Sequence, residues 1–210
     1  MSTAMVWGAS GGIGRAIVER LAANGWTVLA VARDTDRLTA LTPHVISADV
    51  SRRSDVEHAV TAAGYTFNQI DLWIYTVGDI VSEKVETMSP AVWNRILDAN
   101  LTGAFLTAHY SLPLLAADAH MVFVGAVSER MQIPGLTAYA AAKAGLEAFA
   151  EALRKESRKR RVTVVRPGAV NTSFWSKVPF RMPANAMSPS DVAEKILNAY
   201  TEGHSGKLDL

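Results

Sequence analysis

The 210-residue chain is 49% hydrophobic and 20% charged, enough apolar matter for one sizeable core, and a single domain over residues 1–210 is expected. Its 21 basic side chains against 20 acidic ones leave a net charge of +1, which gives no field to steer it onto nucleic acid or an anionic membrane, so neither is expected as a partner. The lack of cysteine excludes disulfide scaffolds, thiolate metal sites and cysteine nucleophiles; with no apolar run near the roughly 20 residues of a membrane span and no signal-like start, a cytoplasmic protein is expected.

In chain order, apolar β-prone runs stand at residues 4–7, 27–32, 44–48, 72–77, 121–124 and 162–165, and the tail 207–210 can add a short further strand. Between them Ile13, Ala16, Ile17 and Leu21 recur every three to four positions, and residues 54–66, 89–115, 138–159 and 189–200 read as helix. Strands that are apolar throughout, rather than alternating, are covered on both faces. The pattern predicts a doubly wound α/β architecture, a parallel sheet with helices on both faces.

The turn from the first strand into the first helix reads GASGGIG, Gly8 to Gly14. Glycines there let backbone N–H groups approach a pyrophosphate at a helix N-terminus. The spacing of Gly8, Gly12 and Gly14 departs from GxGxxG, and a plain strand-to-helix turn could look the same, but its place after the first strand points to a dinucleotide. The second strand ends at Ala32-Arg33, where an acidic residue usually binds the ribose hydroxyls. A cation suits a 2′-phosphate, so NADP(H) is favoured and NAD(H) stays possible; a solvated loop cation is the plainer account of Arg33.

Tyr139 and Lys143, in TAYAAAKAGLEAFAEAL, project from one helix face about one turn apart. An ammonium ~5 Å from a phenolate at an effective dielectric of ~20 is worth about 3 kcal/mol, enough to lower the phenol's pKa by about two units, with burial opposing. Tyr139 is then expected at the mouth of the nucleotide cleft, exchanging protons near neutrality. A packed ring and a solvated amine at this spacing are common, so the pair alone decides nothing.

With GASGGIG at Gly8 to Gly14 and YAAAK at Tyr139 to Lys143, joined by ADV at Ala48 to Val50, WNRILDANLTGAF at Trp93 to Phe105 and RPGAVNT at Arg166 to Thr172, the chain resembles the short-chain dehydrogenases/reductases over nearly its whole length. The resemblance implies a Rossmann-type fold, with Gly8, Ser10, Gly11, Gly12, Ile13 and Gly14 around the cofactor phosphates. It also implies that Asp49 faces the adenine with Val50 flanking it, that Gly78 passes the adenosine ribose, and that Pro167, Gly168, Val170 and Thr172 cradle the nicotinamide. Asn100 would hold a water in a proton relay; Lys143 would grip the nicotinamide ribose and tune Tyr139, the acid/base of carbonyl–alcohol interconversion.

The family's carbonyl-polarising serine falls, without gaps, on Ala126; losing such a donor typically costs ~3 kcal/mol. Ser128 is a candidate replacement. The family's NNAG segment is YTVG here, Tyr75 to Gly78, and its threonine before the first glycine is Trp7. An NADP(H)-dependent oxidoreductase acting on a small carbonyl or alcohol is therefore weighed against a catalytically silent NADP-binding sensor or scaffold. The basic run RKESRKRR, 154–161, reads as a solvated helix end. Residues 173–187, with Phe174, Trp175, Phe180, Met182 and Met187, read as a substrate loop or an oligomer contact. The five histidines lack ligand spacing and no metal is expected. The family suggests a homodimer or homotetramer packed through the helices around Asn100 and Tyr139.

Overall fold

The computed structural model describes residues 2–157 and 159–210. Strands β1 (Thr3–Trp7), β2 (Thr27–Ala32), β3 (His44–Ser47), β4 (Ile70–Tyr75), β5 (Leu115–Val124), β6 (Arg161–Arg166) and β7 (Gly206–Asp209) form one sheet in the order β3-β2-β1-β4-β5-β6-β7. Every pairing is parallel. Helices α1 (Gly12–Ala23) and α6 (Pro189–Thr201) cover one face; α2 (Arg53–Thr66), α4 (Gly103–Ser111) and α5 (Thr137–Glu156) cover the other. The sheet is thus the doubly wound one that unbroken apolar strands predict, because its five central strands bury both faces, while the edge strands β3 and β7 stay partly exposed.

Trp7, Trp73, Tyr75 and Phe123 fill the α2/α4/α5 side, and Ile17, Leu21, Leu72 and Ile74 the α1/α6 side. Fully burying such a side chain contributes roughly 1.5–3 kcal/mol. Among the described residues no helix is long and apolar enough to cross a membrane, and no group of three His, Asp or Glu could hold a metal ion. His120 is sealed in the core against the Thr163 hydroxyl at 2.8 Å, and burial lowers its pKa to about 3, so its imidazole is a neutral packing group.

Residues 89–115 do not form one helix. Ser89 caps α3 (Pro90–Leu97) by accepting the Val92 amide, a π turn follows over Asp98–Thr102, and α4 gives way to a 3-10 turn, Leu112–Leu114, at Pro113. The wide turn lets the Asn100 amide reach two carbonyls, Ile96 at 2.8 Å and Asp79 at 2.7 Å. β5 starts at Leu115, earlier than the expected 121, and β4 stops at Tyr75, releasing Thr76 and Val77 into the loop above it.

The basic run is also not one solvated helix end. Arg154 and Lys155 close α5, but Arg160 donates to the carbonyls of Leu112, Leu115 and Ala116, and Arg161 opens β6 and donates to the Tyr200 carbonyl. Arg158 lies outside the described residues. Carbonyls left free at the ends of helical turns, Leu112 and Tyr200, and at the start of β5, Leu115 and Ala116, draw these cations inward.

Candidate active site

The strand order reverses between β1 and β4, and in an open parallel sheet the loops leaving the carboxyl ends of the strands on either side of that point diverge and leave a crevice. A cleft of about 560 Å³ lies there, and its walls include Gly8, Ser10, Gly11, Arg33, Asp49, Val50 and Gly78. Seven of the residues expected to bind a cofactor therefore meet on one surface.

The glycine turn is built by exclusion. Gly8 has φ +81°, and a Cβ there would stand 2.7 Å from the Thr76 hydroxyl oxygen and 2.8 Å from the Val77 amide. A Cβ on Gly14 would strike the Gly8 carbonyl. The N-terminus of α1 carries no side-chain cap, so its first N–H groups are left to whatever occupies the cleft. Gly12 lies instead under the Thr172 methyl, 2.9 Å from where its Cβ would be, which joins the turn to the loop after β6.

Thr76 is a residue that pattern reading missed. Its hydroxyl donates toward the carbonyls of Trp7, at 2.8 Å, and Gly8, at 3.1 Å, and so bridges β1 and β4 beneath the turn. With the family's threonine replaced by Trp7, this bridge comes from the altered YTVG segment; the signal was a lone hydroxyl at the end of an apolar strand.

At one end of the cleft Arg33 is exposed and forms no side-chain hydrogen bond or ion pair among the described residues. Burial pushes the Asp49 carboxyl up, but hydrogen bonds from the Ser51 amide and hydroxyl, with Arg33 and Arg52 nearby, leave it below its ordinary value. It is an anion with one oxygen engaged by Ser51.

At the other end three groups converge on Gly78. A Cβ on that residue would lie 3.0 Å from Asn100 Oδ1, 3.2 Å from the Phe174 ring and 3.8 Å from Lys143 Nζ. Asn100 Oδ1 is buried and has no partner among the described residues. Lys143, also buried, donates to the Val124 carbonyl at 3.0 Å and keeps two protons uncommitted. Its ammonium lies 5.7 Å from the centre of the Tyr139 ring.

The ring of Tyr139 packs among Ile80, Ile96, Ala126 and Leu136, an apolar setting that by itself counts against proton exchange. Its hydroxyl has no hydrogen-bonding partner among the described residues and is not sealed from solvent. Burial raises its pKa above the ordinary value, opposite to the depression the Tyr139–Lys143 spacing suggests. The reason is symmetrical: burial also lowers Lys143 to about 8, because both charged forms lose water and a single pair does not restore what is lost. Unassisted, the protein holds Tyr139 as a neutral phenol.

Ala126 stays in the Tyr139 cluster, so no hydroxyl stands at the family's serine position. Ser128 opens a 3-10 turn, Ser128–Met131, and its hydroxyl is likewise unpartnered among the described residues yet not sealed. After β6, Pro167 is buried, Gly168 is exposed and Val170 pairs with Met187. The 3-10 turn Ser173–Lys177 then crosses the cleft: Phe174 lies against Gly78, and Lys177 pairs with Asp79 at 2.6 Å. Asp79 also holds Arg95 at 2.7 Å. This cross-cleft contact was not legible in the sequence, since it joins residues far apart through a loop. Ile13 and Gly14 sit behind the turn rather than in the cleft wall, packing α1 on the sheet.

A glycine-lined crevice at the sheet's switch point, with a tyrosine and a lysine one turn apart behind it, defines a dinucleotide-type oxidoreductase scaffold. A family model described as short chain dehydrogenase matches residues 2–181. The chain belongs to the short-chain dehydrogenase family of oxidoreductases. An uncharacterized oxidoreductase of Staphylococcus aureus strain MRSA252 is 28% identical over 210 residues, covering 95% of this chain and 90% of the relative. Among solved structures, an alcohol dehydrogenase of Thermococcus sibiricus complexed with 5-hydroxy-NADP superposes with a TM-score of 0.91 at 24% identity, covering 100% of this chain and 96% of the other. A 3-ketoacyl-(acyl-carrier-protein) reductase of Brucella melitensis complexed with NADH gives 0.88 at 22% identity, covering 100% and 96%. These structures share the fold.

Proposed function

We propose that the protein is an NADP(H)-dependent oxidoreductase that interconverts a carbonyl and an alcohol on a small, partly apolar substrate, with Tyr139 as the acid and base. The observation that carries this reading is the pair of unspent polar groups behind Gly78, the free protons of Lys143 and the bare Oδ1 of Asn100, with the Tyr139 ring centred 5.7 Å from that ammonium. A bound nicotinamide supplies or accepts the hydride and, oxidised, adds a positive charge that favours the phenolate.

The neutral Tyr139 phenol donates to the substrate oxygen in the reductive direction, where a raised pKa keeps the proton in place until it is needed. Lys143 holds the ribose hydroxyls and stabilises the phenolate left behind; Asn100 Oδ1 accepts from a water on the path that reprotonates it. The uncapped start of α1 and the side-chain-free Gly8 and Gly11 fit a pyrophosphate, and Asp49 and Val50 fit the adenine. The unpaired Arg33 at the rim favours a 2′-phosphate. Fluorescence titration tests that preference: NADPH should bind at least ten times more tightly than NADH, and Arg33→Ala should erase the difference. Equal affinities in the unmodified protein would remove NADP from the assignment.

A second reading, an NADP-binding sensor or scaffold without turnover, is favoured by one observation, the methyl of Ala126 beside Tyr139 where a donor is needed. Screening aldehydes and ketones for loss of NADPH absorbance separates the two. Turnover abolished by Tyr139→Phe supports the enzyme; tight binding with no turnover on any of them supports the sensor. For assembly we propose a homodimer or homotetramer through α4 and α5, where Phe105 is 47% exposed and meets Phe149 edge-on. A cytoplasmic setting is proposed from the cysteine-free composition.

A further inference from the structure

Beneath the site lies a charged network that the proposed chemistry does not use. Arg166, the last residue of β6, is 8% exposed. Its Nε and Nη2 grip Asp209 of β7 at 2.6 and 2.8 Å. Its Nη1 does something different: it donates to both oxygens of Glu129, at 3.0 and 3.1 Å, and to Glu147 Oε2 at 3.1 Å. Glu129 belongs to the turn that Ser128 opens, and Glu147 to α5, one helical turn beyond Lys143 and two beyond Tyr139. One guanidinium nitrogen thus joins the Ser128 turn to the helix bearing Tyr139 and Lys143, and the residue after Arg166 begins the Pro167 to Thr172 loop.

We propose that Arg166 is a positioning residue that, through Glu129, holds the Ser128 hydroxyl in register with Tyr139. The inference deepens the oxidoreductase reading and rests on it. Four features set the network apart from an ordinary surface ion pair. Arg166 and Glu147 are both buried, so their charges are held in place by protein partners rather than by water. The fork toward Asp209 is bidentate and fixes the plane of the guanidinium, which aims Nη1 at the turn and the helix. Lys207 pairs with the same Glu147 oxygen at 2.9 Å, so Glu147 has a second cation and the Arg166–Glu129 arm is not needed to neutralise it. The turn has few side-chain anchors: Ser128 is buried but its hydroxyl is unpartnered among the described residues, Met131 packs in the Tyr139 cluster, and Glu129 and Arg130 are exposed. A short 3-10 turn with few anchors is mobile unless tied, and a hydroxyl misplaced by about 1 Å can cost on the order of a hundredfold in rate.

The test compares Glu129→Gln with Lys207→Met, which removes a charge from the same network without touching the turn. Amide hydrogen exchange on the cofactor-free proteins gives a readout independent of turnover, beside steady-state kinetics and thermal unfolding. Glu129→Gln should speed exchange of residues 128–131 at least fivefold, lower kcat five- to fiftyfold with little change in the KM for NADPH, and shift the unfolding midpoint little. Glu129→Asp should recover part of kcat, and Lys207→Met should leave both exchange in the turn and kcat unchanged. Unaltered exchange and kcat in Glu129→Gln would overturn the proposal, as would equal losses in Lys207→Met, which would make the network a general clamp. If no carbonyl is turned over by the unmodified protein, the oxidoreductase reading fails, and the exchange experiment still decides whether Arg166 orders the turn through Glu129.

Discussion

Lys143 stands over the face of Tyr139, 5.7 Å from the ring centre, and both are buried, so each charge is costly where it sits. Burial lowers the lysine to about 8 from an ordinary 10.5. Between those values the unfolded chain carries a proton the folded one has released, so folding is favoured as pH rises through the window. The stabilisation is fully present above 10.5 and lost as pH falls through about 8, a difference of roughly 3 kcal/mol. Lys143→Met, which carries no such charge, should be more stable than the unmodified protein at pH 7, with the gap nearly constant up to about pH 8 and shrinking from there toward pH 10.5. Urea denaturation at several pH values measures it, and a gap independent of pH would show that Lys143 titrates normally.

Ala126 stands where the family places its serine, and Ser128, two residues on, is the candidate replacement. Ala126→Ser adds a hydroxyl inside the Tyr139 cluster and should raise kcat about tenfold or more, since one well-aimed donor on the developing oxyanion is worth ~3 kcal/mol. Ser128→Ala should lower kcat by a similar factor if its unpartnered hydroxyl serves the substrate. Steady-state kinetics on one responsive carbonyl reads both. Indifference to either change would remove serine-type polarisation from the mechanism.

The fold was legible because its information is local and repeated: unbroken apolar strands alternating with amphipathic helices leave few ways to arrange the chain. The glycine turn and the tyrosine–lysine pair can be picked out for a related reason, since GASGGIG and YAAAK each lie within one short segment. Less visible was what depends on contacts between distant segments. The break at Asn100 follows from a π turn that no periodicity signals, Arg160 turns inward to carbonyls 44 to 48 positions away, and Asp79 meets Lys177 across the cleft. The phenol's pKa was misjudged because spacing gives a partner's distance but not the water both groups give up.

Gly8 and Gly11 should separate folding from binding. At Gly8 a side chain meets both a positive φ and the Thr76–Val77 backbone, so Gly8→Ala should destabilise by about 2 kcal/mol or more. At Gly11 the nearest atom to an added Cβ is the Gly8 carbonyl at 3.3 Å, and the methyl would project into the cleft wall. Gly11→Ala should keep the unfolding midpoint within a few degrees yet weaken NADPH at least tenfold. Calorimetry and fluorescence titration give the two numbers, and unchanged affinity in Gly11→Ala would place the pyrophosphate elsewhere.

Asp79 ties the roof of the cleft to its wall. Its backbone carbonyl accepts from Asn100 while its carboxylate holds Lys177 of the roof and Arg95 of α3. Because Lys177 and Arg95 are about half exposed, screening keeps each pair weak, on the order of 1 kcal/mol or less, weak enough to break and re-form readily. Asp79→Asn leaves the side chain's shape and the Asn100 bond in place but removes the charge that draws Lys177 down. NADPH should then associate and dissociate several times faster with little change in Kd, and the unmodified protein's rates should approach the variant's as salt weakens the pair. Stopped-flow fluorescence at two ionic strengths decides it. Identical rates in the variant and the unmodified protein would mean that the Ser173–Lys177 turn is held by Phe174 and the Trp175–Val170 hydrogen bond alone.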